Sequence, residues 1–194
     1  MATEVHPTAI VEDAAWIGDG VRIWHWVHVR AGAVIGDGTS IGQGCYIGEV
    51  VIGRGCRIQN HVSLFDGVTI EDDVFLGPSC VFTNVTHPRA HVSRKDAYQP
   101  TRVGRGASIG ANATLVCGVT IGAYAMIGAG AVVTHDVPPH GLVIGAPARR
   151  VGWACRCGET LAEPRGPEPA RCSRCGDAYA VSAHAATLVT GSGA

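Results

Sequence analysis

The chain has 194 residues, a formal net charge of −1 and 16% charged side chains, so it offers no basic surface for nucleic acid or an anionic membrane. Its opening, MATEVHPTAIVEDAAW, has neither a basic region nor an apolar core and does not read as a signal peptide. No apolar run approaches the roughly 18 residues of a membrane-spanning helix, and a cytoplasmic location is expected.

Aliphatic or aromatic residues recur at every sixth position through Val11, Ile17, Ile23, Val29, Ile35, Ile41 and Ile47. After one five-residue step at Glu49–Val50 they continue at Ile52, Ile58, Leu64, Ile70, Leu76 and Phe82. The beat then stops and resumes at Val103, Ile109, Leu115, Ile121, Ile127 and Val133. The fifth position of the unit is small or β-branched, as at Val21, Ala33, Thr39, Cys45, Cys80, Ala107 and Ala125. Gly often follows the aliphatic residue, as in WIGDGVRI, where it is expected to ease a corner.

A period of six matches neither the 2 of a half-buried strand nor the 3.6 of a helix. It suits a short strand followed by a sharp corner. Three such sides close a triangular coil, and the hexads predict an all-β solenoid of about six turns, its strands about 4.8 Å apart. The aliphatic residues fill the inside, and the open ends need covers. Cys45, Cys56, Cys80 and Cys117 fall inside the repeats and are expected as reduced core thiols.

The break is occupied by TNVTHPRAHVSRKDAYQPTR, residues 83–102. A regular scaffold interrupted once, by a segment rich in His, Arg, Lys and Asn, points to a site carried by a loop on a rigid support. Histidine suits proton transfer near neutral pH, which makes His87 the first candidate base and His91 the second. Asn84 can hold or orient a substrate, or satisfy loop backbone groups. Arg94 and Lys95 suit a carboxylate or a diphosphate, and Tyr98 can stack or donate a hydrogen bond. Ordinary solvated loop surface is the alternative for all of these.

Beyond the last hexads, CRCGETL and ARCSRCGDAY flank the Pro-rich connector AEPRGPEPA. The spacing of Cys155, Cys157, Cys172 and Cys175 is C-x-C, 14 residues, then C-x2-C. Four thiolates with Gly after each pair read as a structural tetrahedral Zn2+ site of ribbon type, with disulfides or a redox pair as alternatives. So small an element has little core, and the metal would supply much of its folding energy. Residues 152–183 would form this ribbon, as a cover for the prism end or a subunit contact, and 184–194 a flexible tail.

The hexads, and the segment VTIGAYAMIGAGAVVTHDVPPHGLVIGAPARRV, resemble the bacterial hexapeptide-repeat acyltransferases. That resemblance implies a left-handed parallel β-helix over residues 1–151, an exception to the right-handed crossover rule. GRGCRIQNHVSLFDGVTIEDDVFLGPSCVFTNV and PRAHVSRKDAY are similar to the sugar-nucleotide N-acetyltransferases. The nearest type acts on UDP-2-acetamido-3-amino-2,3-dideoxy-glucuronate for surface-polysaccharide synthesis, and related members act on dTDP-linked 3-amino sugars. The resemblance implies acetyl-CoA as co-substrate, a nucleotide-linked amino sugar as acceptor, and a homotrimer with sites between subunits.

It also carries residue roles onto matching positions. Asn84 matches the Asn of the relatives' TNV motif. The wider family often places a catalytic His where His87 stands, whereas the nearer relatives usually have Asn there and use the departing CoA thiolate as proton acceptor. Both routes are open. Ala111 and Ala129 match positions whose backbone lines the pantetheine arm. Thr134, His135 and Arg149 match positions near the adenine and 3′-phosphate; the relatives often have Lys where His135 stands, and Arg150 would also suit phosphate. His25, Asn60 and His61 stand at outward hexad positions that can line the sugar-nucleotide end of a groove. A β-helix metalloenzyme of the γ-carbonic anhydrase kind would require three His, and GANATLVCGV after the loop lacks the expected pair.

Overall fold

The computed structural model describes residues 2–163 and 168–191. Its strands are almost all two residues long, and each hexad supplies one outward and one inward side chain. They stack into three parallel ladders. The first runs Glu4–Val5, Arg22–Ile23, Ser40–Ile41, Arg57–Ile58, Phe75–Leu76, Ser108–Ile109, Met126–Ile127 and Gly141–Ile144. The second runs Ile10–Val11, His28–Val29, Tyr46–Ile47, Ser63–Leu64, Val81–Phe82, Thr114–Leu115 and Val132–Val133. The third runs Trp16–Ile17, Val34–Ile35, Val51–Ile52, Val68–Ile70, Thr101–Val103 and Thr120–Ile121. The fold is therefore an all-β parallel solenoid with three faces.

It is taller than the hexads predict. The first face carries eight parallel strands, because Glu4–Val5 precedes the aliphatic beat and Gly141–Ile144 follows its end. Backbone pairing continues the coil there without a hexad signature.

Inward positions are sealed: Ile35, Ile41, Ile47, Leu64, Leu76, Phe82, Ile109, Leu115 and Ile121 are 0% exposed. The fifth-position residues are buried beside them, as at Ala33, Cys45, Cys80 and Ala113. The polar Thr39 fits because its Oγ1 donates to the Gly53 carbonyl (2.9 Å) and accepts from the Cys56 N–H (3.1 Å).

The corner works differently from the sequence expectation. The left-handed residue is the fourth of the unit, as at Gly38 (φ 67°), Gly44 (φ 67°), Trp26 (φ 54°), Asn112 (φ 56°) and Tyr124 (φ 57°). The glycine after the aliphatic residue serves coil-to-coil approach instead: a Cβ on Gly110 would lie 2.4 Å from the Ala129 nitrogen, and one on Gly122 2.3 Å from the Pro139 nitrogen.

At the C-terminal end, Arg149–Trp153 pairs antiparallel with Gly141–Ile144 and leads into a second unit. Ala170–Arg171, Ala178–Val181 and Ala186–Thr190 form a three-stranded antiparallel sheet. Trp153, Cys155, Leu161, Cys172, Tyr179 and Ala186 make its small core, separate from that of the solenoid. The strand Ala186–Thr190, within the stretch expected as a tail from 184 onward, completes this sheet; residues 192–194 of that segment lie outside the described residues. Among the described residues no helix is long and apolar enough to cross a membrane.

Candidate active site

The loop leaves the second face after Val81–Phe82 and returns as Thr101–Val103 on the third, so Thr101 and Arg102, expected within the loop, belong to the scaffold. Its stem is fixed by named bonds. The Cys117 N–H donates to Thr83 Oγ1 (3.0 Å), the Gly118 N–H to Thr101 Oγ1 (3.3 Å), and the Gln99 N–H to the Asn84 carbonyl (2.9 Å). Thr86 Oγ1 rests 3.6 Å from Cys117 Sγ. Beyond this stem the residues from Thr86 to Pro100 are exposed.

Two cavities lie in the loop. One, of about 590 Å³, is lined by Asn84, Arg94, Lys95 and Tyr98 together with His91 and Arg89. The other, about 200 Å³, is lined by His87, Arg94 and Gln99. Val85 and Arg94 line both. The structure thus brings the loop candidates into two adjoining spaces, with Arg94 between. Neither the His87 ring nor the Asn84 side chain has a hydrogen-bond partner among the described residues, so both are available to a ligand. A further space of about 200 Å³ near the N-terminal coils gathers Trp24, His25, Gln59 and Asn60, without His61.

The positions matched to CoA do not converge within one chain. Ala111 and Ala129 stack on the edge between the first and second faces, where the Gly130 N–H donates to the Ala111 carbonyl (2.8 Å). The loop, Thr134 and His135 leave from the edge between the second and third faces. His135 and Arg149 meet instead in a cavity of about 350 Å³ at the C-terminal end, over Val133, Val137 and Val143. Its rim adds Arg150 and Asp136, whose Oδ1 accepts the Thr120 N–H at 2.7 Å. Thr134 Oγ1 bonds His135 Nδ1 at 2.8 Å.

The four C-terminal cysteines converge, with all Sγ atoms within 4.8 Å of one another. Cys155 and Cys175 are 3.4 Å apart and Cys157 and Cys172 3.6 Å. A disulfide needs about 2.05 Å, so these are free thiols. Tetrahedral Zn–S bonds of about 2.3 Å place sulfurs about 3.8 Å apart, and the set fits that geometry. The thiols influence one another. Cys175 is pushed up to about 12, against the pull of the Asp177 N–H, by burial and its three thiol neighbours. Burial opposes ionisation of Cys172 too, but the Cys175 and Arg174 N–H groups and the neighbouring thiols bring it down to about 7. Like charges this close need a cation to ionise together. Among the described residues this is the one set of three or more His, Cys, Asp or Glu side chains placed to share a metal.

Sequence reasoning missed the supports of this centre. Tyr179, 0% exposed, brings its hydroxyl to 3.3 Å from Cys155 Sγ and accepts the Arg156 N–H at 3.0 Å. Arg156 Nε donates to the buried Asp177 at 2.6 Å. His140 sits between Tyr124 (ring centroids 5.4 Å) and Tyr179 (5.1 Å) and donates from Nδ1 to the Ala154 carbonyl at 2.9 Å. Burial lowers its pKa, against the opposing pull of the Ala154 carbonyl. None of these residues belongs to a spaced motif; their one signal is nearness in sequence to the cysteines or the last coil.

Residues 14–49, 32–66 and 100–135 match the family described as bacterial transferase hexapeptide (six repeats). The dTDP-3-amino-3,6-dideoxy-alpha-D-galactopyranose 3-N-acetyltransferase of Aneurinibacillus thermoaerophilus is 48% identical over 157 residues, 81% of this chain and 81% of that one. The chain belongs to the hexapeptide-repeat bacterial transferases. Among solved structures, an acetyltransferase of this repeat type from Vibrio cholerae, complexed with acetyl coenzyme A, is 32% identical with a TM-score of 0.56, over 63% of this hexapeptide transferase and 70% of that chain. A mutant perosamine N-acetyltransferase of Caulobacter crescentus, in complex with CoA and GDP-perosamine, is 28% identical with a TM-score of 0.50. That likeness covers 78% of this chain but 57% of the other.

Proposed function

We propose that this hexapeptide transferase moves the acetyl group of acetyl-CoA onto the amine of a nucleotide-linked amino sugar, in the cytoplasm, for surface-polysaccharide or glycoconjugate synthesis. The observation that carries the reading is the 48% identity, over 81% of both chains, to an enzyme named for that reaction on a dTDP-linked 3-amino-3,6-dideoxy sugar. It favours a dTDP-linked 3-amino deoxy sugar as acceptor. A UDP-linked 3-amino-2,3-dideoxy uronate is the second reading, supported by Arg94 and Lys95 in the loop cavity, which suit a carboxylate.

In this mechanism the amine nitrogen attacks the thioester carbonyl carbon. A C–N bond forms, the C–S bond breaks, and CoA leaves as thiolate. His87 takes the proton released by the nitrogen, a role that suits a ring without a partner among the described residues. Asn84 orients the acceptor, Arg94 and Lys95 hold its anionic groups, and Tyr98 packs against it. Ala111 and Ala129 let the pantetheine arm lie close, with Thr134, His135 and Arg149 towards the adenine and 3′-phosphate. Because the Ala111–Ala129 column and the loop stand on different edges of one prism, a complete site takes two copies. A closed ring of three prisms, each lending two different edges, satisfies this with cyclic symmetry. Zn2+ at Cys155, Cys157, Cys172 and Cys175 completes the reading as a structural metal, with every position filled by sulfur and none left for substrate.

The test is incubation with acetyl-CoA and a panel of dTDP- and UDP-linked 3-amino and 4-amino sugars, with products read by mass. One acetyl group gained by the dTDP-linked 3-amino deoxy sugar is expected. Acetylation of the uronate alone would establish the second reading, and no gain on any sugar while CoA still binds would move the acceptor outside nucleotide sugars.

A further inference from the structure

Arg150 lines the cavity at the C-terminal end of the solenoid, yet what holds its side chain belongs to the cysteine-bearing unit. The guanidinium carbon lies 4.2 Å from the centroid of the Trp153 ring, and Nη2 donates to the Ala183 carbonyl at 2.5 Å. Trp153 is 6% exposed and packs in the same small core as Cys155 and Cys172. Ala183 lies in the turn that joins Ala178–Val181 to Ala186–Thr190. That turn is itself fastened: the Ser182 N–H donates to the Ala185 carbonyl at 2.7 Å, and Ser182 Oγ accepts the Ala185 N–H at 3.0 Å.

The same strand begins at the cysteines. The Cys172 N–H donates to the Asp177 carbonyl at 2.8 Å, and the Gly176 N–H to the Cys172 carbonyl at 3.0 Å, which folds the second cysteine pair into a tight knuckle. One residue after Ala178, Tyr179 puts its hydroxyl against Cys155. A continuous path of bonded backbone thus runs from the thiols along Ala178–Val181 to the carbonyl that grips Arg150. A guanidinium has five N–H donors, so its bond to Ala183 leaves others for a ligand. With Arg149, Arg150 gives the cavity two fixed positive charges against the one carboxylate of Asp136. Among the described residues the unit's core has six buried side chains, little to hold this sheet without a further cross-link.

We propose that the tetrathiolate unit is a metal-dependent positioning device for Arg150: a metal ion on Cys155, Cys157, Cys172 and Cys175 fixes the sheet that holds Arg150 at the rim of the end cavity, and so sets the affinity for the phosphate-bearing end of CoA. Loss of the metal frees the Ser182–Ala185 turn, and Arg150 swings into solvent. This rests on the reading that acetyl-CoA is the co-substrate and its phosphates occupy the end cavity.

The test uses the full chain, with its metal content measured, titrated calorimetrically with CoA and with 3′-dephospho-CoA before and after chelation. The zinc-loaded chain is expected to hold one metal per chain and to bind CoA roughly tenfold more tightly than the stripped chain, the weight of one charged hydrogen bond. Arg150→Ala, still carrying its metal, should show the same loss, and stripping that variant should add little, because the two changes act on one contact. Dephospho-CoA should respond weakly to both. Should chelation unfold the solenoid as well, zinc-loaded Arg150→Ala and Trp153→Leu decide, and unchanged CoA affinity in both overturns the proposal. Equal losses on stripping in wild type and Arg150→Ala overturn it too, as does a chain that retains no metal after zinc is supplied. Failure of the zinc-loaded wild type to bind CoA at all overturns the co-substrate reading itself.

Discussion

The N–H of Gln99 donates to the carbonyl of Asn84 at 2.9 Å, so the two ends of the excursion loop are joined by backbone alone. The side chain of Asn84 takes no part in that closure, and it lines the loop cavity with no partner among the described residues. Asn84→Ala is therefore expected to leave the loop and its stability intact while removing an amide from the acceptor site. The expected outcome is a fall of about 10–100-fold in kcat/KM for the amino sugar, with a melting temperature within ~1 °C of wild type. Steady-state kinetics beside a thermal melt check this. A large drop in melting temperature would instead make Asn84 a fold residue.

His87 poses a sharper question, because two proton routes exist. As the base, its removal in His87→Ala should lower kcat by about 10²–10⁴-fold, with the affinity for CoA unchanged. His87→Asn should be equally impaired. Near-wild-type turnover of the Asn variant would send the proton to the departing thiolate and reduce His87 to a lining residue.

The parts legible in the sequence are those written by repetition. The inward side chains of the hexads follow from the six-residue beat, because burial repeats with the coil, whereas Thr101, buried inside the stretch read as loop, does not. The four thiols were legible from spacing alone. What stayed hidden depends on where coils meet. The fourth-position residue turns the corner and the second-position glycine admits the next coil, and both read simply as glycine in Gly36-Asp37-Gly38. Ala111 and the loop stand in the same stretch of sequence but on different edges of the prism, a fact that needs the faces counted in space. His140 between Tyr124 and Tyr179 joins residues from separate units, and no period connects them.

The two glycine roles predict opposite failures. Gly38 has φ 67° and open space around an added Cβ, so Gly38→Ala meets only backbone strain, about 1–2 kcal/mol. Gly110→Ala would drive its Cβ to 2.4 Å from the Ala129 nitrogen and force two coils apart, for about 1–3 kcal/mol or more. Gly110→Ala should also weaken CoA binding, since Ala111 and Ala129 flank that contact, whereas Gly38→Ala, on another edge of the prism, should not. Denaturant melts with CoA titrations on the two variants would separate the roles, and equal losses in both measurements would contradict the division.

Alkaline pH should destabilise the solenoid through its buried thiols. Burial pushes Cys45 up to about 11 and Cys80 up to about 12, from 9.0 for an exposed thiol. Below pH 9 both states keep these protons, and the thiols add no pH dependence. Between 9 and 11 the unfolded chain gives up protons that the folded chain retains, so the unfolded state gains and stability falls as pH rises. The limiting slope is about 1.4 kcal/mol per pH unit for each thiol. Cys45→Ala/Cys80→Ala loses packing at neutral pH but should show a flatter decline above pH 9 than wild type. Melting temperatures taken from pH 7 to 11 on both proteins measure that difference in slope, and parallel curves would assign the alkaline loss to other groups.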